Sequence, residues 1–95
     1  MTKYSKNINN ICENAIQMHF RYPDTFQLPT TCDIDSAPYV KICVDNERFW
    51  IKVTSKNMAQ RIVIGTVAND LITDVLKYGD IVKFDYDKVY SVMDD

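Results

Sequence analysis

Residues 47–53 read ERFWIKV, and their reading decides what kind of chain this is. Phe49, Ile51 and Val53 alternate as one face of a β-strand does, because successive side chains leave a strand on opposite sides. The same alternation puts Trp50, the single tryptophan, on the other face with Arg48, Lys52 and Thr54. Solvent is expected there. Two fates are open to the indole. Either a second element covers it as core, with Val63 and Val67 beside it, or it stays partly exposed next to Arg48, a pairing enriched at binding hot spots.

Outward from this strand the period of two continues. Tyr39–Val44, 49–54, 62–68, 81–86 and Val89–Met93 alternate or run apolar over strand lengths. DNE (45–47) reads as a tight hairpin turn, and KNMAQ (56–60) as a looser loop. NDLITDVLKYGD (69–80) is the long connection, and its Gly79 is free to take positive φ. Short connections make successive strands antiparallel neighbours. APYVKICV (37–44) and GDIVKFDY (79–86) echo one another too briefly to mark a duplication.

Before residue 39 the period differs. Ile8, Ile11, Cys12, Ala15, Ile16, His19 and Phe20 recur at helical spacing, with Asn and Glu on the other side. Ser5 as N-cap and Pro23 as stop predict an amphipathic helix over about 5–21, its apolar stripe docked on the sheet. The stretch 22–38 holds all three prolines and reads as an extended connector pinned by Phe26 and Leu28. The predicted fold is therefore α+β in a single domain spanning 1–95. An N-terminal helix packs on a small, strongly curved antiparallel sheet or an SH3-like, partly open barrel of four to five strands.

Composition bounds the function. In 95 residues, 46% hydrophobic with eleven aromatics, there is enough apolar matter for one core. No apolar run is long enough for a membrane span, and MTKYSKNINN has no signal-peptide core, so the chain reads as soluble and cytoplasmic. Cys12, Cys32 and Cys43 are odd in number and unpaired in spacing. That disfavours a disulfide framework and a zinc site, and small buried thiols are the simpler account. Residues 1–69 carry eight basic and six acidic side chains, residues 70–95 three and seven. Double-stranded nucleic acid is a poor fit to so acidic an end.

With YPDTFQLP (22–29), YVKI (39–42), ERFWIKVT (47–54), GTVANDL (65–71) and LKYGDIVKF (76–84) in hand, the chain resembles a family of small bacterial and phage proteins catalogued only as a domain of unknown function. The resemblance runs from about residue 14 onwards. One departure is Ser36-Ala37-Pro38-Tyr39, where similar proteins place a Gly-Asp turn before the first Val-Lys strand. The resemblance supports the fold and brings no activity.

Catalytic chemistry finds little purchase. Asp85 with Asp87, and Asp33 with Asp35, are spaced like paired carboxylates, but no histidine or nucleophile accompanies them, and Lys83 and Lys88 lie close enough to neutralise the first pair. His19 falls on the apolar stripe. With only Gly65 and Gly79 in the chain, no phosphate-cradling loop can be built, and no cofactor is expected. Asn69-Asp70 either closes its own turn or makes a polar contact with Arg48 or Glu47. Tyr86 and Tyr90, interleaved with Asp85, Asp87, Asp94 and Asp95, form either an ordinary last strand or a surface that imitates nucleic acid.

The reading is thus a non-enzymatic interaction protein with a protein as the favoured partner, suited to a small inhibitor of the immunity or phage counter-defence type. Arg48, Trp50, Asn69 and Asp70 are the candidate binding residues, with Tyr86 and Tyr90 as a second patch. The alternative is a pocket that sequesters a nucleotide-like molecule by stacking on Trp50. A third option is single-stranded nucleic acid, since small barrels stack bases on aromatics. An exposed edge strand would allow a homodimer.

Overall fold

The computed structural model describes residues 6–18, 27–72 and 74–93. One six-stranded sheet collects β1 (Lys6–Asn7), β2 (Tyr39–Val44), β3 (Glu47–Asn57), β4 (Ile62–Val67), β5 (Ile81–Asp85) and β6 (Ser91–Met93). Its order is β1-β5-β4-β3-β2-β6. Every neighbouring pair is antiparallel except β1 with β5, which is parallel, so the sheet is mixed. The edge strands are only two and three residues long. Short edges offer little template for stray strand pairing. Among the described residues no helix is long and apolar enough to cross a membrane.

The expectation of an α+β fold, a helix on an antiparallel sheet or SH3-like barrel of four to five strands, is corrected here: the fold is dominated by a mixed sheet of six strands, and among the described residues the helices are the short α1 (Ala15–Met18) and α2 (Thr31–Ser36). Among the described residues no N-terminal amphipathic helix packs on it. The apolar stripe predicted at helical spacing is still partly buried, but by other means. Ile8 follows β1, a single turn closes from Cys12 N–H to the Ile8 carbonyl at 2.8 Å, Cys12 bridges to Val44, and Ala15 opens α1. The asparagines explain the change, since amide side chains compete for backbone groups and weaken helices. Asn7 Oδ1 accepts the Asn9 N–H, Asn9 Oδ1 accepts the Asp85 N–H at 2.8 Å, and Asn14 Oδ1 accepts the Ile16 N–H at 2.8 Å. Ile16, predicted inside, is exposed. Ser5, His19 and Phe20, and Pro23 and Phe26 in the connector, lie outside the described residues.

The connector is also corrected. Residues 31–36 form α2, opened by a reciprocal capping box in which Thr30 Oγ1 accepts the Asp33 N–H and Asp33 Oδ2 accepts the Thr30 N–H. Such a box satisfies two donors that a helix start leaves orphaned. Ile34 and Ala37 then enter the core.

β2 to β5 fall close to where the alternation placed them, whereas β1 is additional and β6 begins at Ser91, not Val89. Val40, Ile42 and Val44 lie opposite Ile51, Phe49 and Glu47, and Val67 and Gly65 lie opposite Ile51 and Val53. Val63, Val82 and Phe84 extend this inward row across β4 and β5. The β2–β3 turn is two residues, Asp45 (φ 52) and Asn46 (φ 67), both left-handed, the backbone that tight hairpins demand. Glu13 Oε2 accepts the Asn46 N–H at 2.8 Å and braces it. β3 runs on to Asn57 by absorbing a bulge between Val53 and Ser55, where Thr54 Oγ1 donates to the Ile64 carbonyl at 3.1 Å. A bulge bends and twists its strand locally.

Gly65 sits where β4 crosses close to β3. A Cβ there would overlap the Lys52 carbonyl oxygen and Ile51 Cγ2. Gly65→Ala is expected to destabilise the chain by about 1–3 kcal/mol, as overpacking does. Urea unfolding checks this, and an unchanged midpoint would contradict the close approach.

Burial also leaves a pH signature. It pushes the Cys12 thiol up to about 12 and is the main cause that takes Cys43 to about 11, the latter helped by Glu13. Burial, aided by Asp35, raises the Tyr86 phenol to about 12. These groups ionise more readily in the unfolded chain, the thiols from 9.0 and the phenol from 10.0. Their contribution to stability is therefore complete below pH 9 and is lost as pH rises towards 12. The urea midpoint is expected to hold at pH 8 and fall steadily above pH 9, and a profile flat to pH 11 would count against buried thiols.

Candidate functional site: an aromatic–cation cluster on the outer face

The outer face of the sheet is built by the residues that alternate with the core. In β2 these are Tyr39, Lys41 and Cys43, the last buried, and in β3 Arg48, Trp50 and Lys52. Register sets Lys41 opposite Trp50, Tyr39 opposite Lys52 and Cys43 opposite Arg48. After the 3-10 turn Tyr86–Lys88, the Tyr90 N–H donates to the Lys41 carbonyl at 2.7 Å and brings the Tyr90 ring to the same place.

The four side chains interlock. Lys41 Nζ lies 4.8 Å from the centre of the Trp50 ring and 6.0 Å from that of Tyr90. The Arg48 guanidinium carbon lies 5.0 Å from the centre of the Tyr90 ring. A cation over a ring face is held by the ring quadrupole, about 0.5–1 kcal/mol at exposed sites. Trp50, Tyr90 and Lys41 are half-buried and Arg48 is exposed. Among the described residues the ion pairs are Lys6–Asp80 and Arg61–Asp87, so Lys41, Arg48 and Lys52 enter none. The cluster thus gathers three cations on a chain whose net charge is −2.

Asn69 supports this cluster from behind. Its Oδ1 accepts the Trp50 N–H at 2.6 Å, while the Ala68 N–H donates to the Trp50 carbonyl at 2.9 Å. The strand edge beyond Val67 is thus completed by a side chain, and Trp50 is fixed in register. The sequence singled out Asn69 as a turn residue or a ligand contact, and its hydrogen bond is instead to the backbone of the strand next door. Asp70 is exposed, beside Leu71 and Asp74 at the start of the 69–80 loop, apart from the rings.

Tyr86 and Tyr90 do not form one patch. The 3-10 turn rotates them apart, and Tyr86 is buried in the core cluster. Its hydroxyl donates to Asp35 Oδ1 at 2.5 Å, and the Arg61 guanidinium carbon lies 5.3 Å from its ring centre. Arg61 also donates to Thr31 Oγ1 at 2.8 Å and pairs with Asp87 at 3.3 Å. The Lys56 ammonium donates to the Asp35 carbonyl. This network ties α2 to the β3–β4 loop and closes one end of the sheet, a structural role. Arg61 takes the left-handed backbone (φ 59) to do so. Lys41 is the cluster residue that sequence reasoning missed. Its signal was present in YVKI, since a lysine in register with Trp50 across a two-residue turn must share its face. Among the described residues no group of three or more His, Cys, Asp or Glu side chains is placed to hold a metal ion.

Asn69→Ala leaves the Trp50 N–H without its acceptor and is expected to cost about 1–2 kcal/mol, while Asn69→Asp retains most of that stability. Urea unfolding followed by Trp50 fluorescence measures both. Equal losses in the two variants would contradict the hydrogen bond as the cause.

Comparison with protein-family models, with curated proteins and with solved structures finds no match.

Proposed function

We propose that this chain is a non-enzymatic interaction protein that holds a protein partner against the Trp50 face. The observation that carries this reading is the interlocked set Lys41–Trp50 and Arg48–Tyr90 on the outer strand face. Trp, Tyr and Arg dominate binding hot spots because each offers a large contact area with a polar handle. Here the cations already order the rings, so little side-chain entropy is left to lose on association. The ring faces nearest Lys41 and Arg48 are occupied. That favours a partner that packs over the whole cluster above one that slides a base against a bare ring. The positive charge of Lys41, Arg48 and Lys52 favours carboxylates on the partner. A chain this small, gripping a surface rather than turning over a substrate, is suited to inhibition by occlusion.

Affinity capture from a lysate with tagged chain, followed by titration of the purified, identified partner by calorimetry, tests the reading. Trp50→Ala and Arg48→Glu are each expected to weaken binding by at least about 30-fold, the loss of a hot-spot residue. A partner bound equally well by both variants would overturn the assignment. Binding of oligothymidylate with a steep salt dependence would instead move it to single-stranded nucleic acid.

A further inference from the structure

We infer that residues 70–72 and 74–78 carry a second recognition surface, exposed apolar side chains among carboxylates, whose occupant is a Lys- or Arg-rich protein segment carrying an apolar anchor. This inference does not depend on the Trp50 face. Ile72 is 93% exposed, and Tyr78 (67%) and Val75 (43%) accompany it on the same loop. Scattered exposed apolar residues need no explanation, but three within seven positions concentrate apolar surface on one loop.

Slackness does not account for that exposure. The loop is tied to the sheet at its start through Asn69 and the Trp50 N–H, and at its end by the Gly79 N–H on the Val67 carbonyl at 2.8 Å and the Val67 N–H on the Asp80 carbonyl at 3.0 Å. Leu71 packs against the core and Leu76 is wholly buried, so two of its apolar side chains point inward as anchors. At Ile72 itself the N–H is held by both oxygens of the Glu47 carboxylate, at 3.1 and 3.0 Å. Asp80 Oδ2 accepts the Lys77 N–H at 3.0 Å, a bond that holds the Asp80 carboxyl below its usual range and keeps the closing turn charged and formed. A loop that buries Leu71 and Leu76 yet presents Ile72 is displaying it.

The rim identifies the occupant. Asp45 and Glu47 share an open groove with Ile72, and Asp70 and Asp74 share a second one with Tyr78. Lys77 is the one cation lining either groove among the described residues. Carboxylates around apolar side chains match a segment that alternates ammonium or guanidinium groups with aliphatic ones, and they repel an acidic partner. The outer face of the same sheet, with Lys41, Arg48 and Lys52, has the opposite character.

The test uses the full chain, isotope-labelled for NMR, titrated with a short amphipathic Leu/Lys peptide and with its Leu/Glu and Ser/Lys counterparts. The Leu/Lys peptide is expected to bind, with amide shifts centred on Ile72, Val75 and Tyr78. Ile72→Ser and the pair Asp70→Asn with Asp74→Asn should each weaken it about tenfold, while Trp50→Ala leaves it unchanged. Because the Ile72 side chain stands in water, Ile72→Ser should keep the wild-type thermal midpoint, which separates lost binding from lost folding. No binding, equal binding of either counterpart peptide, or shifts confined to the Trp50 face would overturn the inference. So would sedimentation showing a dimer that Ile72→Ser abolishes, which would make the occupant a second copy of the chain.

Discussion

Everything in this fold hangs on β3 being paired on both sides. Its inward row, Phe49, Ile51 and Val53, meets Ile42 and Val40 of β2 on one side and Val67 and Gly65 of β4 on the other. Apolar burial is non-directional and would tolerate many arrangements, but a strand slipped by one residue would turn this whole row to water. Two local devices hold the register. The left-handed pair Asp45–Asn46 sets β2 against β3, and the missing side chain of Gly65 lets β4 come close enough to Lys52 and Ile51 to pair. The bulge near Thr54 then allows an eleven-residue strand to keep its inward residues inward after the sheet has twisted.

A strand that fixes its core row also fixes what stands opposite. Trp50 could not be moved off the outer face without moving Phe49 and Ile51 out of the core, so the cluster with Lys41, Arg48 and Tyr90 is a direct consequence of register. Asn69 and Glu47 extend the same logic beyond the sheet. One completes the hydrogen bonding of Trp50, the other holds the loop that carries Ile72. Both surfaces thus lean on β3, one through the Trp50 N–H and the other through the Glu47 carboxylate.

The strands were legible because period two is a strong signal when the inward residues are β-branched or aromatic, and β2 begins and ends where YVKICV does. The N-terminal segment was not, since its apolar spacing satisfies a helix and equally the strand, turn, bridge and single helical turn found in its place. The capping box at Thr30 and Asp33 was readable in TTCD (30–33), but three nearby prolines made the stretch look extended. In the site, Arg48 and Trp50 share a face by alternation alone. Tyr90 joins them, and Tyr86 leaves them, because a 3-10 turn begins at Tyr86, where the alternation reads as strand.

By itself, then, the sequence determined the inward rows, the hairpin turn and the placing of Trp50 and Arg48 away from the core. Those follow from stereochemistry within a few residues. Tertiary structure alone decided that β1 adds to β5 in parallel, that Asn69 serves the Trp50 backbone, that Lys41 and Tyr90 stack with Trp50 and Arg48, and that Ile72 projects while Leu76 is buried. Each of these joins groups far apart in the chain or depends on which way a loop turns. Such contacts arise only when the whole sheet has closed around its core.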